Sequence, residues 1–220
     1  MKTMSKFAAL ILAAGGIATL ALAAQAQTAA KKADVASSKT TVDPALVDTY
    51  VKATFGKAPP EWQARIEPDE TLKACNQYRN EVPSAEADKI IARELAKVVF
   101  PADGKFLGDW KEGKKIANNG RGGQFSDAPD TVSGGNCYAC HQLEKAEVSY
   151  GTIGPSLLAY GKDRKYAPDE IKTTFTKIYD SHAVLACSNM PRFGANKVLT
   201  EKQITDLVAL LFDPESPVNK

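Results

Sequence analysis

Cys137-Tyr-Ala-Cys140-His141 sets two thiols two residues apart and places an imidazole directly after the second. That order is the attachment pattern of c-type haem: two sulphurs at this spacing reach the two vinyl groups of one porphyrin, and the adjacent His becomes the fifth ligand of the iron. With four Cys and two His in 220 residues, a chance match is expected only about 0.0006 times. Two other chemistries use a Cys-x-x-Cys pair. A thioredoxin-like site would lie near a βαβ pattern, and the segments flanking this one read as helices. A zinc site would need two more ligands from Cys75, Cys187 and His182, whose spacing is irregular. One motif and no internal repeat predict one haem and one electron at a time.

The helices around the motif follow from caps and apolar spacing. Upstream, Asp109 to Asn119 reads as a helix stopped by Gly120, and Gly120 to Gly135 is too poor in apolar residues to be more than a surface loop. Downstream, Ala167 to Ala183 carries Pro168 in its first turn and a stripe of Ile171, Phe175 and Ile178. A last helix opens on a capping box, Thr200 with Gln203, and continues through Ile204, Leu207, Val208 and Leu211. Nearer the N-terminus, Asp43-Pro44 starts a helix bearing Leu46, Val47, Tyr50, Val51 and Phe55, which ends at Gly56 before Pro59-Pro60. A second is expected from Asp69 to Tyr78. A third spans Ser84 to Phe100, with Ile90, Ile91, Leu95 and Val98 on one face, and Pro101 to Gly104 forms a turn. No strand-like alternation of useful length occurs, so the predicted fold is all-α.

The sixth ligand decides what the iron can do, because a saturated haem moves electrons and an open one binds small molecules. Beyond the leader the chain holds a single methionine, Met190, which lies 49 residues after His141 in Ser188-Asn-Met-Pro-Arg-Phe-Gly194. Pro191 keeps Met190 out of a helix, so its thioether belongs to a stiff loop. A lone Met is ordinarily a core filler, yet a Met-Pro loop after a haem motif, with no competing Met, favours Met190 as ligand. His182, in line with the 171–178 stripe, and Cys187 are the alternatives. Gly154-Pro155-Ser-Leu157 follows the motif closely, and a backbone carbonyl is a common acceptor for the second ring N–H of a proximal imidazole such as His141; an ordinary turn is the other reading.

Covalent haem attachment in bacteria takes place outside the cytoplasm, and the first residues agree. Lys2 and Lys6 precede an apolar run from Phe7 to Ala24, and Ala24-Gln-Ala26 is a small-x-small cleavage site. Residues 1–26 therefore read as a signal peptide and the protein as periplasmic, without a stable membrane anchor; an uncleaved anchor is disfavoured by Gly15-Gly16 and the Ala-rich makeup. Residues 27–42, rich in Ala, Lys, Ser and Thr without apolar periodicity, read as a flexible leader. The chain beyond residue 26 carries 26 basic and 26 acidic residues, so no basic face for nucleic acid is expected. Once haem takes Cys137 and Cys140, Cys75 and Cys187 remain, and an oxidising compartment favours their pairing as a disulfide over two buried thiols.

Residues 108–220 resemble a class I cytochrome c domain, preceded by a helical extension over 43–107. The shared features are the first helix, Cys-x-x-Cys-His, a Gly-Pro-x-Leu segment, the Met-Pro loop and the closing helix. That resemblance implies that Pro155 orients His141, and that Gly113 is the close-packing point against the helix holding Leu207 and Leu211. Gly135-Asn-Cys-Tyr-Ala-Cys-His-Gln142, Gly151-Thr-Ile-Gly-Pro-Ser-Leu157, Ala186-Cys-Ser-Asn-Met-Pro-Arg-Phe-Gly194 and residues 199–211 together are similar to the SoxX family, the monohaem subunits of SoxAX cytochromes in bacterial thiosulfate oxidation. The resemblance implies a heterodimer with a SoxA-like monohaem or dihaem cytochrome subunit, a SoxYZ-like carrier whose cysteine receives thiosulfate, and a soluble cytochrome c as electron acceptor. The chain would then belong to an enzyme, a thiosulfotransferase, only as its electron-relay subunit, with no catalytic residue of its own. A free-standing periplasmic carrier is the alternative. The extension exceeds what short members of that family contain, and added contact with the partner is its expected role.

Overall fold

The computed structural model describes residues 43–63, 65–124, 126–128 and 130–220; the signal peptide expected over 1–26 and the leader over 27–42 lie outside the described residues. Among the described residues every regular element is helical and no strand occurs. Two compact units divide the chain, one ending at Pro59 and one running from Pro60 to Lys220.

The first unit holds α1 (Pro44–Phe55), which begins where the sequence expects it. Asp43 accepts from the Ala45 N–H at 2.9 Å, and Pro44 occupies a position whose N–H would have had no partner.

The second unit contains α2 (Pro60–Gln63), α3 (Glu70–Gln77), α4 (Ser84–Leu95), α5 (Trp110–Asn118), α6 (Tyr160–Asp163), α7 (Pro168–Tyr179) and α8 (Glu201–Phe212). Short 3₁₀ turns lie at Cys137–Ala139, Ser181–Ala183 and Pro217–Asn219. Its axis is α8, buried on every side from Ile204 to Phe212, as an apolar helix must be. The capping box forms as read: Gln203 N–H donates to Thr200 Oγ1, and Gln203 Oε1 accepts from the Thr200 N–H at 2.9 Å.

Helix α5 crosses α8 at Gly113. A Cβ built there would sit 2.1 Å from the Asp206 carbonyl oxygen and 3.1 Å from Leu210 Cβ, so only glycine lets the backbones meet. The contact falls on Asp206 and Leu210 of the helix expected to receive it. Asp206 also fixes the crossing from its own side, accepting from the Asp109 N–H at 2.8 Å and pairing with Lys202 at 2.7 Å.

Two helices end earlier than the apolar pattern suggests. Expected to reach Phe100, α4 stops at Leu95, after which Lys97 and Val98 make tight i→i+3 bonds to Glu94 and Leu95; Pro101 then forces Phe100 out of the helical region. Its buried face is also rotated from the expected stripe: Ile90 and Glu94 are fully buried, whereas Leu95 is 45% exposed. Expected to reach Ala183, α7 stops at Tyr179, because Asp180 turns extended (φ −144°) and caps the following 3₁₀ turn by accepting from the His182 N–H at 3.0 Å. The 101–104 turn is present, closed by Gly104 N–H on the Pro101 carbonyl at 3.0 Å with Gly104 at φ +69°. Phe100 and Phe106, on the chain between α4 and α5, pack on Phe175 of α7 with ring centroids 6.0 and 5.3 Å away. Residues before α5 therefore contribute to the same core.

Candidate haem site

Helices α5, α7 and α8 leave a cleft with about 400 Å³ of free space. Ala117, Ile178, Leu207, Leu210 and Leu211 come from those helices, Leu143, Leu157 and Phe193 from loops, and the remaining wall residues are Cys137, His141 and Met190. The wall thus brings together one attachment cysteine, Cys137, with the imidazole of His141 and the thioether of Met190, two groups able to ligate a haem iron, while Cys140 lies outside the lining. Burial pushes the Cys137 thiol up to about 12, and among the described residues no strand flanks the motif as a thioredoxin-like βαβ site requires. Cys140 ends the 3₁₀ turn, its N–H donating to the Cys137 carbonyl at 3.0 Å. Among the described residues no group of three or more His, Cys, Asp or Glu side chains is disposed to hold a metal ion by itself.

The segment 151–157 is laced onto the motif. Gly151, Gly154 and Leu157 each donate a backbone N–H, to the carbonyls of Tyr138, Cys140 and Gln142, all at 2.8 Å. This approach requires glycine at position 154, where a Cβ would lie 2.2 Å from the His141 ring. It delivers the Pro155 carbonyl to 2.7 Å from His141 Nδ1. A carbonyl only accepts, so Nδ1 carries the proton and Nε2 keeps its lone pair for a metal.

Met190 sits half-buried in the loop after the Ser181–Ala183 turn. Its N–H donates to Ser188 Oγ at 3.2 Å, and its carbonyl accepts from Ser181 Oγ at 2.5 Å. Neither alternative sixth ligand is available. His182 lies off the α7 stripe, away from the cleft wall, and its Nε2–H donates to the Ser188 carbonyl at 3.0 Å. Cys187 is bonded to Cys75, with Cα atoms 5.4 Å apart.

Beside this loop lies a polar cluster that a reading of the sequence missed. Glu94 of α4, 1% exposed, accepts from Thr71 and Lys97 and lies 3.7 Å from Arg192. Arg192 pairs with Asp69 at 2.7 Å, and Asp180 faces the Glu94 carboxylate. Position gave one signal: Glu94 falls four residues after Ile90, on the buried face. Among the described residues the buried side-chain polar atoms without a partner are Asp180 Oδ2 and His182 Nδ1. Burial, together with the Glu94 charge, pushes Asp180 up to about 6 from 3.8. A proton on Oδ2 donates to Glu94 and removes the first of those two orphans. Burial holds His182 below its ordinary value, so this imidazole is neutral.

The raised Asp180 value has a defined consequence. The folded protein holds this proton where the unfolded chain has lost it, so the stabilisation is complete below 3.8 and disappears as pH rises through about 6. Asp180→Asn, which presents an N–H in place of the proton and does not titrate, should gain in melting temperature relative to the native protein between those two pH values and hold that gain above them. Paired thermal melts across the range check this; a difference that does not change with pH contradicts it.

No helix among the described residues is long and apolar enough to cross a membrane. The cytochrome c family model matches residues 110–212, the stretch from α5 to α8 that encloses the cleft. An uncharacterized lipoprotein of Aquifex aeolicus (strain VF5) is 34% identical over 196 residues, covering 87% of this chain and 92% of that protein. A helical fold closed by α5 on α8, an apolar cleft bearing an oriented imidazole, and that match agree: residues 110–212 form a cytochrome c domain, a domain of electron transfer, and carry one covalently attached haem c.

Proposed function

We propose that this chain is the electron-relay subunit of a periplasmic SoxAX-like L-cysteine S-thiosulfotransferase, with Cys137 and Cys140 attaching the haem and His141 and Met190 as its axial ligands. The observation that carries the relay role is the cleft wall, where, besides the Cys137 sulphur, one imidazole and one thioether are the donors and the rest is hydrocarbon. The haem supplies a one-electron iron couple. The protein's part is to keep that couple fixed: the Pro155 carbonyl holds the His141 ring by its Nδ1–H, and the hydrogen bonds of Ser181 and Ser188 hold Met190. A neutral thioether favours the reduced iron, and a dry wall disfavours extra charge, so both raise the potential. If His141 and Met190 both held the iron, this chain would offer thiosulfate no ligand position, which would leave substrate chemistry to a SoxA-like partner and its SoxYZ-like carrier, and electron delivery to a soluble cytochrome c.

The four sequence segments similar to SoxX support the assignment to sulfur oxidation, and the apolar leader supports export to the periplasm; a relative described as a lipoprotein is in keeping with export. A second reading, a free-standing periplasmic carrier, draws on one specific observation: residues 60–107 are packed into the haem unit itself, so the extension need not exist for a partner. Size-exclusion of the native protein from thiosulfate-grown cells, with mass spectrometry of any co-eluting chain, separates the two. Co-elution with a second c-type cytochrome is expected; a protein eluting alone as a monomer favours the carrier.

A further inference from the structure

The loop that bears Met190 is anchored on both shoulders to helices outside the family-matched region. Three residues before Met190, Cys187 is bonded to Cys75 of α3. Two residues after it, Arg192 pairs at 2.7 Å with Asp69, the cap of α3, and lies 3.7 Å from the buried Glu94 of α4. These anchors have their own support. Cys75, Cys187 and Ile90 form a small apolar cluster separate from the main core, and Glu94 is fixed by Thr71 and by Lys97 at 3.0 Å. Cys187 itself holds φ +56°, a left-handed backbone that a residue with a Cβ adopts only when its surroundings impose it. Without the bridge that residue is free to relax, and Met190 is three positions away on the same short loop.

We infer that α3 and α4 form a clamp that positions Met190, with Cys75–Cys187 and Arg192–Asp69 as its two jaws, so that the sixth ligand stays on the iron. This rests on the reading of Met190 as axial ligand and adds a role for the extension: Cys75, Cys187, Asp69 and Arg192 act on the iron only through the loop. The clamp resists local opening, a motion in which one loop detaches while the remaining fold persists. Asp69→Asn tests one jaw cleanly, because Oδ1 still caps α3 through the Leu72 N–H while the charge facing Arg192 is lost. Cys75→Ala with Cys187→Ala tests the other.

The experiment uses the full-length haem-loaded protein. The rate at which cyanide replaces the thioether on ferric iron reports how often the loop opens, and the near-red methionine-to-iron charge-transfer band reports ligation at rest. The double cysteine variant should bind cyanide faster by on the order of tenfold or more, and Asp69→Asn should be faster by a smaller factor, with a weakened band in the former. Thr200→Ala, which removes the α8 cap and lowers global stability, should bind at the native rate. Native rates in both clamp variants, or an equal rise in Thr200→Ala, overturn the clamp. A native protein lacking the near-red band overturns the axial-ligand reading itself, and the clamp with it; a band present with unchanged rates sinks the clamp alone.

Discussion

Serine at both Cys137 and Cys140 should give a polypeptide with the mass of the bare chain, no haem retained after acid extraction, and no cooperative thermal transition. The first two results follow from the attachment chemistry and the third from packing. Ala117, Ile178, Leu207, Leu210 and Leu211, which form the centre of the fold, line the cleft, so the cofactor would complete the core. Without it those side chains have only one another to pack against and forfeit the dispersion contacts that the porphyrin would supply. An ordinary domain has only about 5–15 kcal/mol of stability to lose. Either serine alone should leave one thioether, a coloured protein and a cooperative melt. Intact-mass measurement and circular dichroism on heating check all three. A double variant that melts as sharply as the native protein would show that α5, α7 and α8 close over the cleft unaided.

Valine at Gly113 should be the most damaging single change away from the haem. The atoms opposing a Cβ are the backbone carbonyl of Asp206 at 2.1 Å and its carbon at 2.7 Å, and a backbone has no rotamer to escape into. Helix α5 must back away from α8, which loosens the Asp109–Asp206 bond and widens the cleft at Ala117. Overpacking of this kind costs about 3 kcal/mol. Urea denaturation of the haem-loaded protein should show the midpoint falling by the corresponding amount, with alanine producing a smaller fall. An unchanged midpoint for valine would mean that the helices cross elsewhere.

The starts of the helices were legible because they are local: Asp43, Asp69, Asp109 and Thr200 each cap the helix that follows, and each signal lies within four residues. The ends were less so. Helix α4 stops where Glu94 is drawn into the cluster with Thr71, Lys97 and Arg192, and Arg192 is nearly a hundred positions downstream. Helix α7 stops because Asp180 is more use to the His182 N–H and the Glu94 carboxylate than to another helical turn. Those are tertiary decisions, invisible to periodicity. The same distance hid the charged cluster: Glu94 reads as one more acid on a surface helix unless its spacing from Ile90 is weighed. The all-α fold, by contrast, needed only the motif and its flanking helices.

Near-red absorption of the ferric native protein tests the central claim most directly, since it reads whether the Met190 thioether is on the iron. The account predicts a methionine-to-iron charge-transfer band that vanishes in Met190→Ala while the haem stays covalently bound. A native spectrum without that band, or one that Met190→Ala leaves intact, would contradict it.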